Sequence, residues 1–592
     1  MVPCESSAGS VRDERFGGDI TMKNREIADL FAKMAEILEF KGENPFKIRA
    51  YSKAARIIGD LTHDIEEIAQ NGELKEIPGI GEGMAEKIVE YLKTGRVLKF
   101  EEAKKGVPDE LIAIMDIPGM GPKTLSMLHR EKGIGNLSDL EKAVEDGSLV
   151  DLPGMGDKKV ENIKRGIQLL KQSKGRMNLG VAFPVAKELV EALREKVGSK
   201  KIEWAGSLRR MRENIGDIDI LATGRDREKI VHEFTHLPGV KQVLASGETK
   251  ASVIVEGGLQ IDLRVVEESS FGAALQYFTG SKGHNIHLRG IAKARGIKIN
   301  EYGVFKGEKK IGGKEEKDVY DALKMGWIEP ELREDRGEIE ASQEGRLPKL
   351  VEERQIRGDL HVHSSWSDGT STIEEVGKAA RKKGYQYVAI CDHSQSLKVA
   401  RGLDESRLLR KFDEIDRANE KVKGFRILKG AEVDIKTGGG LDYPDRLLKK
   451  LDLVLASVHS GFKQEKEKVT RRIVQALENP YVHILSHPSG RLLGQREPYE
   501  VEWDEVMEAA KRHGKALEIN AYFERLDLDD IRSRRAKEMG IPLAIGTDTH
   551  HLDQLWMMSL GIAVARRGWL EPPDLLNTMD LQGLMNWCRR NR

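Results

Sequence analysis

The stretch Asp359-Leu-His-Val-His363 is a short apolar run that carries two histidines on one face and ends on the second of them. Similar strand-like runs follow, and nearly every one ends in His, Asp or Glu: YVAICDH, FRILKGAE, LVLASVH, VHILSH, ALEIN and PLAIGTDTH. Amphipathic helical stretches separate these runs. The alternation predicts a barrel or a doubly wound α/β fold after Arg357, with polar side chains gathered at the carboxyl ends of the strands.

The residues at these strand ends have the chemistry of metal ligands. Imidazoles and carboxylates that converge at the mouth of a barrel suit zinc, manganese or iron. One such histidine alone is more often a hydrogen-bonded core residue, and the repetition along the strands is what favours a metal site. The candidates are His361, His363, Asp368, Asp392, His393, Glu432, His459, His487, Asp548 and His550.

From about Arg357 to the C-terminus the pattern resembles the PHP (polymerase and histidinol phosphatase) domain. The resemblance implies a distorted seven-stranded (β/α)7 barrel, about three Mn²⁺ or Zn²⁺ ions and an active phosphoesterase, with Glu432 bridging ions. We also expect Lys398 and Arg401 to contact phosphate. The resemblance assigns the ligand positions to His361, His363, Asp368, His393, Glu432, His459, His487, Asp548 and His550.

A second acidic pattern lies in the middle of the chain. Asp217 and Asp219, in Gly216-Asp-Ile-Asp-Ile220, point to one face of a strand because the side-chain period is two. With Asp262, in Leu259-Gln-Ile-Asp-Leu-Arg264, they form a carboxylate triad that suits two Mg²⁺ ions and phosphoryl transfer. Ser207 and Arg210 are placed to hold a triphosphate. The alternative interpretation of Asp-x-Asp alone is an exposed turn.

This region, from about Met22 to Arg336, resembles the family X DNA polymerases, the group that includes polymerase beta. The motifs that narrow it to this family are Ala245-Ser-Gly-Glu-Thr-Lys250, Tyr277-Phe-Thr-Gly-Ser-Lys282 and Ile299-Asn-Glu-Tyr302. The resemblance implies that Asp217 and Asp219 bind both metals and that Asp262 helps to deprotonate the primer 3′-hydroxyl. The nucleotide-binding positions it implies are Ser207, Arg210, Gly216, Tyr277, Phe278, Gly280, Asn285 and Arg289.

A Pro-Gly turn recurs in the helical N-terminal region, at Ile77–Gly81, Ile117–Gly121 and Leu152–Gly156. Glycine before a helix leaves backbone N–H groups free to bind a DNA phosphate without reading sequence. The alternative is a tight turn between packed helices, and the three copies favour the phosphate interpretation. The glycines concerned are Gly79, Gly81, Gly119, Gly121, Gly154 and Gly156.

Lysines near the first turn are candidates for further DNA contacts. Each is most simply a solvated surface charge, but a partly desolvated lysine could form a Schiff base with an aldehyde sugar. The family resemblance places Lys87 at the Schiff-base position, with Lys47, Tyr51 and Lys99 in support. Two residues depart from the family pattern: Gly83 stands where animal enzymes carry a lysine, and Met211 replaces a small residue.

The length and composition of the chain limit the kinds of protein that it can be. The 592 residues predict several domains, and the net charge of zero excludes a polycation that coats DNA by bulk attraction. The three cysteines form no CxxC pair, and there is no apolar run of the ~20 residues that span a bilayer, so we expect a cytoplasmic protein. We also expect it to be a monomer. The expected domains are a disordered tail (1–21), a lyase-like helix-hairpin-helix domain (22–105), a fingers-type helix-hairpin-helix domain (106–172), a nucleotidyltransferase palm with a mixed sheet (173–270), a small thumb (271–336), a linker (337–356) and the PHP domain (357–592).

These features together predict a repair polymerase that fills short gaps with dNTPs on gapped or primer-template DNA. The PHP site would supply a 3′-5′ exonuclease, with abasic-site endonuclease or 3′-phosphatase as further expected activities. The alternative is a small-molecule phosphatase of the histidinol phosphatase kind, tethered to a DNA-binding nucleotidyltransferase.

Overall fold

The computed structural model describes residues 20–590 except for internal gaps, most of which lie in the N-terminal half of the chain. The gaps are 60, 62–64, 108–110, 112–113, 115–119, 150–151, 153–154, 157–159, 161–162, 164–176, 200, 256–257, 494–495 and 497. Gly119 and Gly154 of the predicted turns, and residues 1–19 of the predicted tail, lie outside the described residues.

The N-terminal region is helical, as the three- and four-residue spacing of its apolar residues predicts. Two apolar cores hold it together, one around Phe31 and Ile58 and the other around Leu125 and Leu140. Its helices are α1 Ile20–Phe40, α2 Pro45–Gly59, α3 Ile65–Gln70, α4 Glu82–Thr94, α5 Leu98–Lys104, α6 Pro122–Lys132 and α7 Leu137–Glu145.

The middle region is built on a mixed sheet with the strand order β2-β4-β7-β6-β5. Strands β4 and β7 are parallel neighbours, and the other pairs in this sheet are antiparallel. Its elements are β1 Met177–Asn178, α8 Leu179–Val197, β2 Ile202–Trp204, α9 Gly206–Arg209, β3 Asn214–Ile215, β4 Ile218–Ala222, α10 Arg227–Thr235, β5 Val240–Ser246, β6 Lys250–Val255 and β7 Gln260–Val265.

Three helices and a small antiparallel sheet follow the mixed sheet. Their elements are α11 Phe271–Thr279, α12 Lys282–Ala294, β8 Ile297–Asn300, β9 Gly303–Lys306, β10 Lys309–Gly312 and α13 Lys317–Asp321. The strand order of this sheet is β10-β9-β8.

The segment 337–356, predicted to be a linker without regular structure, is folded. It contains helix α14 Glu338–Gln343 and a 3-10 turn at Glu353–Gln355. Ile339 and Val351 are fully buried. The sequence pattern failed here because the apolar residues are few and widely spaced, and they divide between two cores instead of forming one stripe. Ile339 and Leu350 pack in the core of the thumb region, and Val351 and Ile356 pack in the core shared by the mixed sheet and the barrel.

The C-terminal region is a parallel barrel whose strands follow one another in chain order, from β11 to β17. Amphipathic helices cover its outside. The strands are β11 Gly358–Val362, β12 Tyr387–Ile390, β13 Arg426–Asp434, β14 Leu453–Ser457, β15 Ile484–Leu485, β16 Ala516–Asn520 and β17 Leu543–Gly546. The helices are α15 Ile373–Lys382, α16 Glu405–Lys421, α17 Asp445–Leu448, α18 Lys466–Glu478, α19 Trp503–Arg512, α20 Asp530–Glu538, α21 Met558–Arg567 and α22 Leu581–Arg590.

Two backbone hydrogen bonds nearly close this barrel between its first and last strands. The N–H of Asp548 donates to the carbonyl of His361 at 2.9 Å, and the N–H of His363 donates to the carbonyl of Thr549 at 2.9 Å. All strands run the same way, so their carboxyl ends meet at one mouth. The barrel predicted from the strand-end pattern is therefore confirmed.

The barrel and the mixed sheet share one continuous apolar core. Gly180, in the first turn of α8, lies so close to the barrel that a Cβ built on it would be 2.1 Å from Cβ of Phe523. Only a residue without a side chain permits this approach. None of the described helices is long and apolar enough to span a membrane.

We predict that Gly180→Ala lowers the stability of the interface between the barrel and the mixed sheet. The added methyl meets the rigid Cβ of Phe523, and overpacking of this kind costs about 1–3 kcal/mol. Differential scanning calorimetry measures the effect. The matched control is Gly290→Ala, in helix α12 with open space around the site, which should leave stability unchanged or raise it by up to about 1 kcal/mol. Equal effects of the two substitutions would contradict the prediction.

Candidate functional site

The first candidate site is the carboxylate triad of the mixed sheet. Asp219 on β4 and Asp262 on β7 are direct partners in the register of these parallel strands, and Asp217 immediately precedes β4. Gly206, at the start of α9, has φ of +64°, and a Cβ built on it would be 2.9 Å from Oδ2 of Asp219. The glycine therefore lets the turn that precedes Ser207 approach the carboxylates.

The triad concentrates negative charge in a partly buried place. Burial, and then the neighbouring Asp217 and Asp262, raise the pKa of Asp219 to about 7, while Arg264 opposes the rise. The carboxylate of Asp262 accepts hydrogen bonds from Ser252 Oγ and from Gln260 Nε2, the latter at 3.1 and 3.2 Å. Three converging carboxylates fit hard divalent cations such as Mg²⁺, which bind oxygen ligands.

The predicted triphosphate contacts lie beside this triad. Ser207 and Arg210 are half-buried in and just after α9. Arg210 is already engaged: its Nε donates to Glu334 Oε1 at 3.0 Å and its Nη1 donates to the carbonyl of Thr279. Gly280 packs against the same guanidinium, since a Cβ built on it would be 3.1 Å from Arg210 Nη1. The sequence did not indicate the pairing with Glu334.

The remaining nucleotide-site candidates cluster on α11 and α12. Tyr277 and Phe278 contact each other edge to face at 5.1 Å. The side chain of Asn285 accepts a hydrogen bond from Gln276 Nε2 at 2.7 Å and donates one to the carbonyl of Tyr277 at 2.7 Å. Arg289, one turn further along α12, is exposed.

Two further positions on this face bear on the sequence pattern. Gly216, just before Asp217, is exposed. Met211, which departs from the family pattern, has φ of +52°. This left-handed conformation favours glycine, which explains why the family pattern has a small residue at this position.

The second candidate site fills the mouth of the barrel. Its potential ligand atoms form three groups in which all the atoms lie within 4.8 Å of one another. The groups are His363, Asp368, His393 and His550; His361, His363 and Asp548; and His393, Glu432 and His459. His487 joins them through its Nε2, which lies 2.7 Å from Glu432 Oε1. All nine residues predicted by the resemblance thus lie in one cluster.

Glu432 is at the centre of this cluster. Its carboxylate oxygens lie 2.8 Å from His393 Nδ1, 3.3 Å from His459 Nε2 and 2.7 Å from His487 Nε2. Burial alone would raise its pKa, but the surrounding histidines outweigh burial and hold the pKa of Glu432 well below its usual range. A carboxylate shared in this way is the arrangement expected of a bridging ligand.

Hydrogen-bond acceptors that are not themselves ligand atoms orient several of the histidines. Nδ1 of His361 lies 2.7 Å from Glu518 Oε1, and Nδ1 of His459 lies 2.6 Å from Asp434 Oδ1. Nδ1 of His550 lies 2.7 Å from the backbone carbonyl of Asp548. In each case Nδ1–H donates to the acceptor, so that Nε2 carries the lone pair that faces the cluster, as in many metal sites.

Glu518 and Asp434 were not among the residues predicted from the sequence, although the strand pattern carries a signal for both. Glu518 lies in the strand-like run ALEIN, and Asp434 follows Glu432 by two residues on the same strand, so both share the face of the other strand-end residues. Asp392, a candidate ligand from the sequence, instead pairs with the buried Lys411 at 2.9 Å and holds the loop at Ser364 and Ser367.

The donor set at the barrel mouth fits divalent metal ions. Burial, and then His550 and His393, lower the pKa of His363 to about 4, so its imidazole is neutral at pH 7 and able to coordinate. Two buried ligand atoms, His363 Nδ1 and Asp368 Oδ1, have no hydrogen-bond partner among the described residues, as expected of lone pairs that face an ion.

The cluster opens to solvent on the side of Asp368 and His550, whose side chains are 32% and 28% exposed. The loop that carries Lys398 and Arg401 lies beside this opening, and both cations are exposed. Arg407 joins this loop to the loop that carries Asp368, because its guanidinium donates to the carbonyls of Arg401 in the first loop and Trp366 in the second.

In the N-terminal region, Lys87 lies next to Tyr51. Its Nζ donates to the carbonyl of Gly83 at 2.6 Å and lies 5.8 Å from the centre of the Tyr51 ring. Tyr51 is buried, and the exposed Lys47 pairs with Glu43 at 3.3 Å. Lys99, in helix α5, forms an exposed ion pair of its own with Glu102 at 2.9 Å.

The described parts of the Pro-Gly turns share one feature. Gly81 and Gly121 directly precede α4 and α6, and Gly156 accepts a backbone hydrogen bond from Val160 at 3.2 Å, as a residue at a helix start does. A Cβ built on any of these three would meet no atom of the described residues within 4 Å. Gly79 differs, since its φ is +100° and its Cβ would meet Lys53 and Ile57 at 2.6 Å. The space beside Gly81, Gly121 and Gly156 is open to a phosphate.

Sequence profiles of known families match four parts of the chain. They are the helix-hairpin-helix domain at residues 22–97, the SAM-like helix-hairpin-helix tandem at residues 110–168, the DNA polymerase beta thumb at residues 274–334 and the PHP domain at residues 359–522.

Curated relatives match both the whole chain and its barrel alone. The DNA polymerase/3′-5′ exonuclease PolX of Bacillus subtilis (strain 168) is 40% identical over 576 residues, which cover 96% of this chain and 100% of the relative. A probable phosphatase of Thermoanaerobacter sp. (strain X514) is 33% identical over 231 residues, 37% of this chain and 89% of the relative. A probable phosphatase of Acetivibrio thermocellus is 34% identical over 201 residues, 32% of this chain and 78% of the relative.

We predict that the affinity of the carboxylate triad for Mn²⁺ rises with pH between about 6 and 8. A proton and the ion compete for Asp219, whose pKa of about 7 leaves it increasingly protonated as the pH falls below that value. The dissociation constant should fall by up to about tenfold per pH unit below the pKa. Electron paramagnetic resonance measures it as the Mn²⁺ binding that is lost in a chain with Asp217→Ala and Asp262→Ala, so that binding at the barrel, which both chains share, is subtracted. Asp219→Asn is the control, and a pH-independent constant in the chain that keeps Asp219 would contradict the prediction.

Proposed function

Because this chain belongs to the family X DNA polymerases that carry a C-terminal PHP domain, we propose that it both extends and degrades DNA strands. Extension would occur at the carboxylate triad with dNTPs, and 3′-5′ exonucleolytic degradation would occur at the barrel mouth. The similarity to the Bacillus subtilis DNA polymerase/3′-5′ exonuclease over the whole chain supports both activities. Both sites come from one chain, so we take the monomer as the working unit.

The observation that carries this proposal is the presence of two separate ligand clusters of different chemistry. The triad of Asp217, Asp219 and Asp262 offers oxygen atoms only, which favours Mg²⁺. The barrel mouth mixes imidazole and carboxylate donors, which favours Mn²⁺ or Zn²⁺, and its three groups of ligand atoms support about three ions. Divalent ions, when bound, would supply the positive charge that activates an attacking oxygen and neutralises a phosphate.

In the polymerase site the chain's own groups would align the primer end and the nucleotide. Ser252 and Gln260 orient the carboxylate of Asp262, which we propose accepts the proton of the primer 3′-hydroxyl. Ser207 and Arg210 would bind the triphosphate, with Gly216 near it. Tyr277, Phe278 and Gly280 would lie along the sugar of the nucleotide, and Asn285 and Arg289 would face the minor groove of the new base pair.

In the nuclease site the barrel would hold the scissile phosphate at the exposed side of the cluster. Glu518 and Asp434 fix His361 and His459, so that the ligand set keeps its geometry during the reaction. Lys398 and Arg401 lie at the entrance to the site and would contact neighbouring phosphates. We propose that a 3′ end enters beside Asp368 and His550, the most exposed of the ligands.

The N-terminal region would bind the phosphates of the DNA backbone. The open space beside Gly81, Gly121 and Gly156 lets a phosphate approach the backbone N–H groups at a helix start. These contacts read no sequence, which suits a repair enzyme that acts on gaps in any context. We propose short-gap filling in base excision repair as the role, with gapped DNA as the substrate.

Three finer activities extend the proposal. The barrel site has the donor set for hydrolysis of other DNA phosphoesters, so abasic-site endonuclease and 3′-phosphatase activities are included. Lys87 lies beside Tyr51 and corresponds, by resemblance, to the family's Schiff-base lysine. We propose that its amine condenses with the aldehyde of an abasic sugar with loss of water, and that β-elimination then breaks the C3′–O bond and releases the phosphate on the 3′ side, with Lys47 and Lys99 contacting DNA.

The second candidate function is a small-molecule phosphatase in the barrel, and the probable phosphatases that match this region favour it. A phosphatase of this kind has no use for the helix-hairpin-helix segments or the polymerase thumb that precede the barrel. The nuclease interpretation accounts for these segments as well.

We predict that two double variants separate the activities on a gapped primer-template. Asp217→Ala with Asp219→Ala should lower extension by more than about 10³-fold and leave degradation intact, because ligands that act as a unit are lost together. His361→Ala with His363→Ala should do the converse. Gel analysis of primer length with and without dNTPs measures both activities.

The same proteins discriminate the two candidate functions. Hydrolysis of histidinol phosphate by the unaltered chain, together with no degradation of the 3′-recessed duplex, would favour the phosphatase. Loss of both DNA activities in either double variant, with the fold retained by circular dichroism, would contradict the proposal of two independent centres.

A further inference from the structure

Ionic side chains from three regions of the chain meet behind the nucleotide site. Arg210 follows α9 of the palm, Glu334 ends the thumb, and Arg567 is the last residue of helix α21 of the PHP domain. Arg567 is 5% exposed and Glu334 is 7% exposed. Charged groups are seldom buried this deeply unless they are paired, so the arrangement of their partners is informative.

Arg567 uses its guanidinium to join these regions. Its Nη1 donates to the backbone carbonyl of Arg210 at 2.7 Å and to Glu334 Oε1 at 3.0 Å, and its Nη2 donates to Asp530 Oδ2 at 2.7 Å. Asp530 also accepts a hydrogen bond from Arg336 Nη1 at 2.9 Å. The planar fork of arginine suits several acceptors at fixed angles, which lysine cannot match.

Glu334 is the link between the two arginines. Its Oε1 accepts from Arg567 Nη1 and from Arg210 Nε, each at 3.0 Å, and Arg212 Nη1 lies 3.8 Å away. Burial alone would raise the pKa of Glu334, but Arg210 and Arg567 outweigh it and hold the pKa well below the usual range. The carboxylate is therefore charged at pH 7 and orients both guanidinium groups.

The two hydrogen bonds that the Arg210 side chain makes leave the Nη2 group of its guanidinium available to a ligand. Glu334 holds Nε, and the carbonyl of Thr279 holds Nη1, whereas Nη2 has no hydrogen-bond partner among the residues that the structure describes. Because Arg567 also binds the carbonyl of Arg210, both ends of this residue are fixed by a network that is anchored in the barrel. A guanidinium held in this way binds a phosphate without first losing rotational freedom.

We propose that Arg567 of the PHP domain is a positioning residue of the polymerase site, which fixes Arg210 for the triphosphate of the incoming nucleotide. The inference rests on the proposed polymerase function and deepens it. Its consequence is that the nucleotide site is complete only when the PHP domain is docked on the palm and thumb. The PHP domain then has a part in synthesis that is separate from its own ligand cluster.

The test compares Arg567→Met with the matched variant Arg566→Met in the full-length chain. Arg566 also joins the barrel to the thumb region, through Glu331 at 2.7 Å and Glu329 at 3.1 Å, but it does not contact Arg210. Single-nucleotide insertion on gapped DNA gives kcat/KM for the dNTP, and inhibition by inorganic tripolyphosphate gives a Ki that reports phosphate binding alone. Exonuclease activity and the thermal transition serve as controls of folding.

We expect Arg567→Met to lower kcat/KM for the dNTP and to raise the Ki of tripolyphosphate by about tenfold or more, the effect of losing one well-placed charge-assisted contact. The KM for gapped DNA and the exonuclease rate should stay within about twofold. Arg566→Met should change neither nucleotide parameter. In an Arg210→Ala background, Arg567→Met should have no further effect on Ki, because Arg567 acts through Arg210.

Distinct outcomes overturn the inference and the proposed function. An unaltered chain that inserts no nucleotide contradicts the polymerase function itself. An unaltered chain that is active, with an unchanged Ki in Arg567→Met, equal losses in Arg566→Met or an additive loss in the Arg210→Ala background, contradicts the positioning role alone. If Arg567→Met does not fold, Arg567→Lys keeps the charge without the fork, and it should still raise Ki by several-fold.

Discussion

Ligand groups crowd together at both candidate sites, and this constraint organises the rest of the structure. Burial, and then the neighbouring carboxylates of Asp217 and Asp262, raise the pKa of Asp219 to about 7. At the barrel mouth, the Nε2 atoms of His361 and His363 lie 3.2 Å apart. A site that holds divalent ions needs this crowding, and the surrounding strands must hold the ligand groups in place.

Much of this could be predicted from local sequence. The two-residue period of a strand places Asp217 and Asp219 on one face, and the repeated polar strand ends indicate a barrel with a ligand-lined mouth. What could not be predicted depends on contacts between distant parts of the chain. The register of β4 against β7, the support of His361 by Glu518 and the bond between Arg210 and Glu334 each join residues far apart in sequence. The folded segment 337–356 escaped prediction for the same reason.

The polymerase and the PHP barrel are parts of one packed body in this structure rather than two domains joined by a flexible tether. The apolar core runs from the mixed sheet into the barrel, and Gly180 brings α8 against Phe523. The buried ionic network of Arg210, Glu334 and Arg567 adds polar contacts whose geometry is specific. In the function that we propose, synthesis and degradation use separate ligand clusters on this shared framework.

If both clusters hold divalent ions against a phosphodiester, anomalous diffraction from crystals grown with Mn²⁺ and a non-hydrolysable nucleotide will locate those ions. We expect anomalous peaks within coordination distance of Asp217, Asp219 and Asp262, with the triphosphate beside Arg210. We also expect a separate group of peaks around Glu432. The absence of peaks from either cluster at saturating Mn²⁺, or carboxylates of the triad turned away from one another, would contradict this expectation.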